Sequence, residues 1–291
     1  DWTSTSSSTR PEPMRSGRET ATTLRRLRTG LAASALVGAA AMSPASHAQG
    51  FALYVAPPRV DLQVTAGETR RQVLELHHAG QATGGYRFYT NDWTLEGNGS
   101  VKFQDALAPG SCRPWVALER RELQLAPDGR YRFRFEVTPP PGTPRGECRF
   151  AIMIEGKDTT PVDQGGFKFP VAGRIGVIAY VHVGGAEPKL VVGKASVREA
   201  AGARQAILEV RNDGDATGRL EGFLTAVDSG GAEFEVAPES VPILPGATRL
   251  VAINPVVEDG KKPPAIQYPL TVKGTLEWGK NRETLELRFA P

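Results

Sequence analysis

The sequence predicts an all-β protein built from two β-sandwiches in series, on three observations. Apolar and polar residues alternate with a period of two in many short runs. Gly, Pro and Asn turns cut those runs roughly every ten residues, the rhythm of strands in sandwiches. Beyond residue 48 no long run holds a helical period. Strand side chains point alternately to opposite faces, so a period of two marks a half-buried strand.

"GRYRFRFEV" (129–137) is the clearest case. Tyr131, Phe133, Phe135 and Val137 alternate with Arg130, Arg132, Arg134 and Glu136, which predicts one buried face and one solvated row of charge. "YVAPPRVDLQV", "RRQVLELHH", "GYRFYTNDW" and "CRFAIMIE" repeat the pattern, and "EGNGS" (96–100) reads as a hairpin turn. "GGFKFPVAGRIGVIAYVHVGG" (165–185) is apolar or Gly at every odd position from Phe167 to Val183. It predicts one very long strand closing the first sandwich. "GGAEP" (184–188) is a linker, after which "KLVVGKASV", "QAILEVRN", "GRLEGFLTAVD", "ATRLVAIN", "PLTVKGTLEW" and "ETLELRF" continue in the same style. The expected division is a leader over 1–48, a first sandwich over 49–183 and a second over 184–291.

The leader has its own signature. Met14 precedes Arg15, Arg18, Arg25, Arg26 and Arg28, then a small apolar run (Leu31–Met42), then Ser43-Pro-Ala-Ser-His-Ala48. A basic segment, a short apolar segment and small residues three and one before a break describe a secretory signal, with cleavage expected after Ala48. The run is shorter than the roughly 20 residues that span a bilayer, so no membrane span is expected after cleavage. Residues 1–48 hold six Arg against three acids, the same +3 that the whole chain carries. The remainder is neutral, and bulk charge offers no basis for a nucleic-acid partner.

Two cysteines remain, Cys112 and Cys148. In an exported chain an even count favours a disulfide, worth about 4 kcal/mol through loop closure. Metal ligation is the weaker reading, because no further Cys or His stands at ligand spacing. Motifs for catalysis are absent beyond residue 48: no G-x-S-x-G, H-E-x-x-H, paired C-x-x-C, Walker A or dinucleotide glycine pattern occurs. His77 and His78 are adjacent in a strand and face opposite ways. Asp61, Asp92 and Asp105 are scattered, and Gly193-Lys194 lacks the rest of a phosphate loop. Asn98-Gly99-Ser100 fits a glycosylation sequon but is better explained as a turn. Tyr131, Phe133 and Phe135, with arginines between them, fit a core row better than a stacking platform for nucleic acid. The expectation is a non-enzyme with no metal and no cofactor.

Several stretches taken in order resemble the PapD-like periplasmic pilus chaperones. "VAPPRVDLQVTAGETRRQVLELHHAG" resembles their opening strands. "LQLAPDGRYRFRFEVTPPPGTPRGECRFAIMIEG" resembles their run of Leu-x-Pro-Gly, strand, Pro-containing loop, Arg-x-Glu and apolar strand, carried here by Leu125, Pro127, Gly129, Pro144, Arg145, Glu147 and Phe150. "FKFPVAGRIGVIAYV" resembles the last strand of their first domain. The resemblance covers nearly all of residues 49–291 and implies two immunoglobulin-like sandwiches. It also implies a Gram-negative, Sec-exported, periplasmic protein that stabilises pilus subunits by donor-strand complementation, with an outer-membrane usher as a second candidate partner.

It implies roles for particular residues as well. Phe167, Phe169, Val171 and Ile175 fall on the strand lent to the subunit. Two Phe there are larger than the aliphatic side chains expected, which implies deep pockets in the guest. Arg59 matches one of the two cations that hold the subunit's terminal carboxylate. The other, a Lys in the family, aligns with Gly176, a departure; Arg174 on the same face is the substitute. Pro170 is a second departure and must occupy a position that needs no ladder bond. Outside this resemblance, a secreted immunoglobulin-like binding or adhesion module is the alternative. It calls for Trp and Tyr gathered around a polar cleft, with Trp93, Trp115 and Trp278 as the side chains to watch.

Overall fold

The computed structural model describes residues 51–97, 99–157, 160–164, 167–200 and 202–291; for 160–164, 167–171 and Ala200 the description covers backbone only. The leader, its cleavage point and Asn98 lie outside the described residues.

The first half of the chain forms β1 (Leu53–Ala56), β2 (Arg59–Val64), β3 (Arg70–His78), β4 (Gly84–Leu95), β5 (Val101–Gln104) and β6 (Val116–Leu118). It continues with β7 (Glu122–Leu125), β8 (Arg130–Val137), β9 (Gly146–Gly156), β10 (Thr160–Gln164), β11 (Phe167–Val171) and β12 (Arg174–Val183). One sheet runs β1-β3-β8-β6; the facing sheet runs β2-β12-β9-β4-β5, with β7 also on β4. β1 is antiparallel to β3 and β2 is parallel to β12. The opening segment therefore crosses from one sheet to the other at Pro57-Pro58, residues with no N–H to leave unpaired.

The alternation in β8 is realised as read. Phe133, Phe135 and Val137 are buried while Arg130, Arg132 and Arg134 are exposed. Phe88 of β4 stacks on Phe133 across the sandwich at 4.1 Å between centroids, and Phe135 meets Phe150 edge-on. Burying each such side chain contributes about 1.5–3 kcal/mol. The Cys112–Cys148 disulfide closes beside this core, with Cα atoms 6.0 Å apart.

The linker turns through Gly184 and Gly185, both at positive φ (64° and 77°), a region that favours glycine. The second half forms β13 (Leu190–Ala200), β14 (Ala203–Asn212), β15 (Leu224–Val227), β16 (Glu233–Pro238), β17 (Thr248–Pro255), β18 (Leu270–Trp278) and β19 (Asn281–Phe289). They make one seven-stranded sheet, order β13-β14-β17-β16-β15-β18-β19. It folds over a single core that includes Leu208, Val236, Val251, Leu276 and Phe289, and its end strands β13 and β19 touch. Gly193-Lys194 falls at the register shift between Val192 and Ala195, a β-bulge. The fold is all-β with two immunoglobulin-type sandwiches.

One expectation needs correcting. The apolar row from Phe167 to Val183 is not one strand: it breaks at Ala172–Gly173 into β11 and β12. β12 pairs along its length with β9, which ends at Gly156. Beyond that point β11 turns to β10 and forms a separate two-stranded ribbon. At the break the Gly173 carbonyl accepts the Gly156 N–H at 3.0 Å. The Phe51 ring lies where a side chain on Gly173 would be, so only Gly fits. A period of two reports facing, not continuity, and could not show this bend.

Candidate functional site

β12 is paired unequally on its two edges. On one side, residues 174–183 all face β9; on the other, only Ile178–Val183 face β2. Residues 174–177 therefore have a free backbone edge among the described residues. β11 likewise pairs only with β10. Unpaired N–H and C=O groups on such an edge are a ready template for another strand. Ile175 is half-buried against the first core and Val177 is fully buried. The side chains of Phe167, Phe169 and Val171 lie outside the described residues. Pro170 faces Pro161 across the ribbon. Neither has an N–H, so theirs is a non-hydrogen-bonded pair, and the ladder loses nothing there.

Arg59 stands where the free edge ends, in register with Ile178. Its Nε donates to Asp61 Oδ2 at 2.9 Å. It lines a cavity of about 250 Å³ between the sandwiches, with His182, Thr217, Arg219 and Lys280 among the other walls. Arg174 stands at the opposite end of β12. Its Nη1 donates to the Tyr89 hydroxyl at 3.4 Å, and it lines a separate depression on the outer sheet face with Arg87, Asn91 and Arg121. The two arginines do not share a cavity. At Gly176 a Cβ would overlap the Phe103 ring, so the position has no room for a side chain while Phe103 covers it.

That outer face carries its own apolar cluster. Trp93, Ala151, Met153 and Tyr180 are buried there, and Leu244 of the second sandwich packs against them. Trp93 meets Tyr180 edge-on at 5.7 Å and donates its indole N–H to the Phe150 carbonyl. Burial pushes the Tyr180 hydroxyl pKa up, and the neighbouring Arg219 draws it partly back. Arg219 donates to that hydroxyl at 3.0 Å and lies over the ring.

The sandwiches are fastened at two further points. Arg145 grips Asp215 with Nε and Nη2, at 2.5 and 3.3 Å. Glu147 accepts from both the backbone N–H and the hydroxyl of Thr217. His182 lies beside it: Gln63 Nε2 donates to His182 Nδ1 at 2.9 Å. A neutral ring then carries its proton on Nε2, 3.3 Å from Glu147 Oε2. That nitrogen is buried and makes no hydrogen bond.

The histidine pair separates as strand geometry requires. His78 is buried, with Tyr86 and the Ala82 carbonyl at its two ring nitrogens, while His77 pairs with Asp128. Among the described residues no group of three or more His, Cys, Asp or Glu is placed to hold a metal, and no helix is long and apolar enough to cross a membrane.

Of the residues singled out from sequence, Arg59 stands at the end of the free edge and Ile175 lies within it, and Cys112 and Cys148 are bonded to each other. Arg219 was not foreseen. It sits in "GRLEGF" without a motif, and only the approach of the second sandwich brings it to the cavity that Arg59 also lines. Glu147 was noted as part of Arg-x-Glu, but its partner in the other domain left no mark in sequence.

The chain is thus a two-sandwich fold with a strand edge left open beside an inter-domain cavity. No family model matches the chain and no curated protein matches it. Among solved structures it is similar to the YadV chaperone, at 11% identity and a TM-score of 0.45, over 81% of this chain and 99% of that one. It is similar to the CsuC–CsuE chaperone–tip subunit complex of Acinetobacter baumannii, at 13% and 0.43, over 82% and 99%. It is also similar to the E. coli chaperone DraB, at 17% and 0.40, over 81% and 97%.

Proposed function

We propose that this protein is a periplasmic chaperone that holds pilus subunits by donor-strand complementation before they assemble. The observation that carries the reading is the half-paired strand β12, whose free edge over 174–177 ends at Arg59. A guest that lacks a strand would receive main-chain hydrogen bonds from that edge and apolar side chains from Phe167, Phe169, Val171 and Ile175. Arg59 would hold the guest's terminal carboxylate. Arg174, on the outer face beside Tyr89, would flank the guest near the bend. The apolar surface of an incomplete sandwich aggregates if left open, and covering it makes and breaks no covalent bond. An outer-membrane usher would be the next partner to receive the complex.

The alternative of an adhesion module finds less support. Trp93 and Trp278 are buried and Trp115 is half-buried, so these three form no exposed aromatic platform.

The test is co-purification from periplasm with the wild type and with Phe167→Ser/Phe169→Ser. The wild type should bring down a small β-rich subunit. The double variant should melt as the wild type does and bring down none, with the subunit lost to aggregation or proteolysis. A variant that still protects its subunit refutes donor-strand capture, and one that unfolds places these residues in a core.

A further inference from the structure

We propose that Phe103 determines specificity at the open strand edge: its ring, laid over the bare backbone of Gly176, selects a guest with an apolar side chain in register with that glycine. The inference rests on the chaperone reading, since the guest strand is the one that β12 would receive. Three observations carry it. Gly176 lies inside the free stretch 174–177. Ile175 and Val177 on either side of it face the first core, and Ile178 belongs to the outer cluster, so strand alternation turns Gly176 outward. The Phe103 ring covers Gly176 so closely that no Cβ would fit, yet both residues are only half-buried. Part of the seat is therefore open to a neighbour on that edge.

Residues directly opposite in neighbouring strands share a face. The guest side chain opposite Gly176 would meet no side chain of β12, and the ring would take its place. A ring over a glycine restores the cross-strand contact that the glycine lacks. The surroundings are apolar. Met153, in register with Gly176 on β9, is fully buried, and Trp93, in register with Phe103 on β4, is buried as well. The nearest charges are balanced. Arg174, two positions along β12, shares its depression with Arg87 and Arg121 against Asp105, Glu122 and Glu155, three cations to three acids. Arg59, in register with Ile178, is paired with Asp61. Lys102 and Gln104 flank Phe103 on β5 and point to the other side of that strand. A polar guest group over the ring would lose water without gaining a partner, whereas an apolar one buries its surface against the ring. Where the resemblance calls for a cation, this edge offers an aromatic face.

The test uses residues 49–291 and seven-residue peptides of alternating Thr and Val, N-acetylated with a free C-terminus. Each peptide carries Leu or Asn at one position, and the position is moved along the set. By NMR, the backbone amides of 174–177 and the Phe103 ring resonances should shift together. Leu should bind at least tenfold tighter than Asn at positions facing Ile175 and Val177, and also at the position between them. Phe103→Ala should abolish the preference at that middle position alone, and Phe103→Leu should keep part of it. A still ring while the edge amides shift, no shift at 174–177, or an unchanged middle preference in Phe103→Ala would overturn the proposal. The wild-type ring resonances decide even if a variant misfolds. If the peptides bind as expected but the protein protects no subunit from periplasm, the selectivity stands and the chaperone reading falls. If a subunit is protected while the peptides ignore Phe103, the chaperone reading stands and this inference falls.

Discussion

The carboxylate of Glu147 receives both the backbone N–H and the hydroxyl of Thr217, at 2.5 and 2.7 Å, with 1% of its side chain exposed. One residue of the first sandwich thus satisfies two donors of the second in a place that water does not reach. A charged acceptor makes such bonds stronger than neutral ones, and losing it strands the donors. Glu147→Ala is expected to cost about 2–3 kcal/mol. It should also split the calorimetric melt into two transitions, because the sandwiches no longer unfold together. A single unshifted transition would show that Arg145–Asp215 suffices.

The Cys112–Cys148 disulfide spans 36 positions of sequence. On the chain-entropy model its loss costs about 4 kcal/mol. Urea unfolding of Cys112→Ser/Cys148→Ser should show that loss as a lower midpoint. Intact protein should gain two mass units on reduction and none on alkylation without it.

Introducing a lysine at 176 should harm rather than help. Phe103 covers that position, and forcing it aside costs about 1–3 kcal/mol. Gly176→Lys should therefore lower the melting temperature, and adding Phe103→Ala should recover part of it. Tighter subunit capture by Gly176→Lys alone would contradict the packing.

Arg59→Ala separates binding from folding. Its ion pair with Asp61 is open to solvent on both sides, and such pairs contribute at most about 1 kcal/mol. Truncating a buried partner of a bound carboxylate costs about 2–5 kcal/mol of affinity. Co-purification should therefore lose the subunit while the melt stays within a few degrees. A subunit still retained would remove Arg59 from the site.

The Asp228 turn of the second sandwich is expected to be acid-sensitive. Asp228 accepts the backbone N–H groups of Ala232, Gln267 and Gly230, and these bonds, that of Ala232 foremost, hold its carboxyl below the ordinary aspartate value. A depressed folded pKa means the stabilisation is complete above the unfolded pKa. It is lost as pH falls through the folded one. Asp228→Asn should then flatten the acid limb of a stability–pH profile and leave its slope near neutrality unchanged.

The sandwiches were legible because burial writes itself into sequence one residue at a time. Phe133, Phe135 and Val137 had to alternate with arginines to form a sheet with one wet face. The bend at Ala172–Gly173 was not legible, because the apolar row keeps its period through it; what ends β12 is the length of β9 and the Phe51 ring, both distant in sequence. Arg59 was singled out through the resemblance of its strand to the opening strands of the pilus chaperones, not by any local pattern. Arg219 and the cover of Phe103 over Gly176 depend on how separate segments meet, which no local pattern records.

The half-paired edge is also a ruler. Residues 174–177 offer four positions, roughly 13 Å at about 3.3 Å per residue, between Arg59 and the bend. On the proposed function, a guest fixed by its terminus at Arg59 would have its last few residues gauged against the sandwich, and only the earlier ones against the ribbon. Because strand faces alternate, a guest one residue too long or too short presents every side chain to the wrong side. The protein would then select its clients by where their chains end as much as by what they contain.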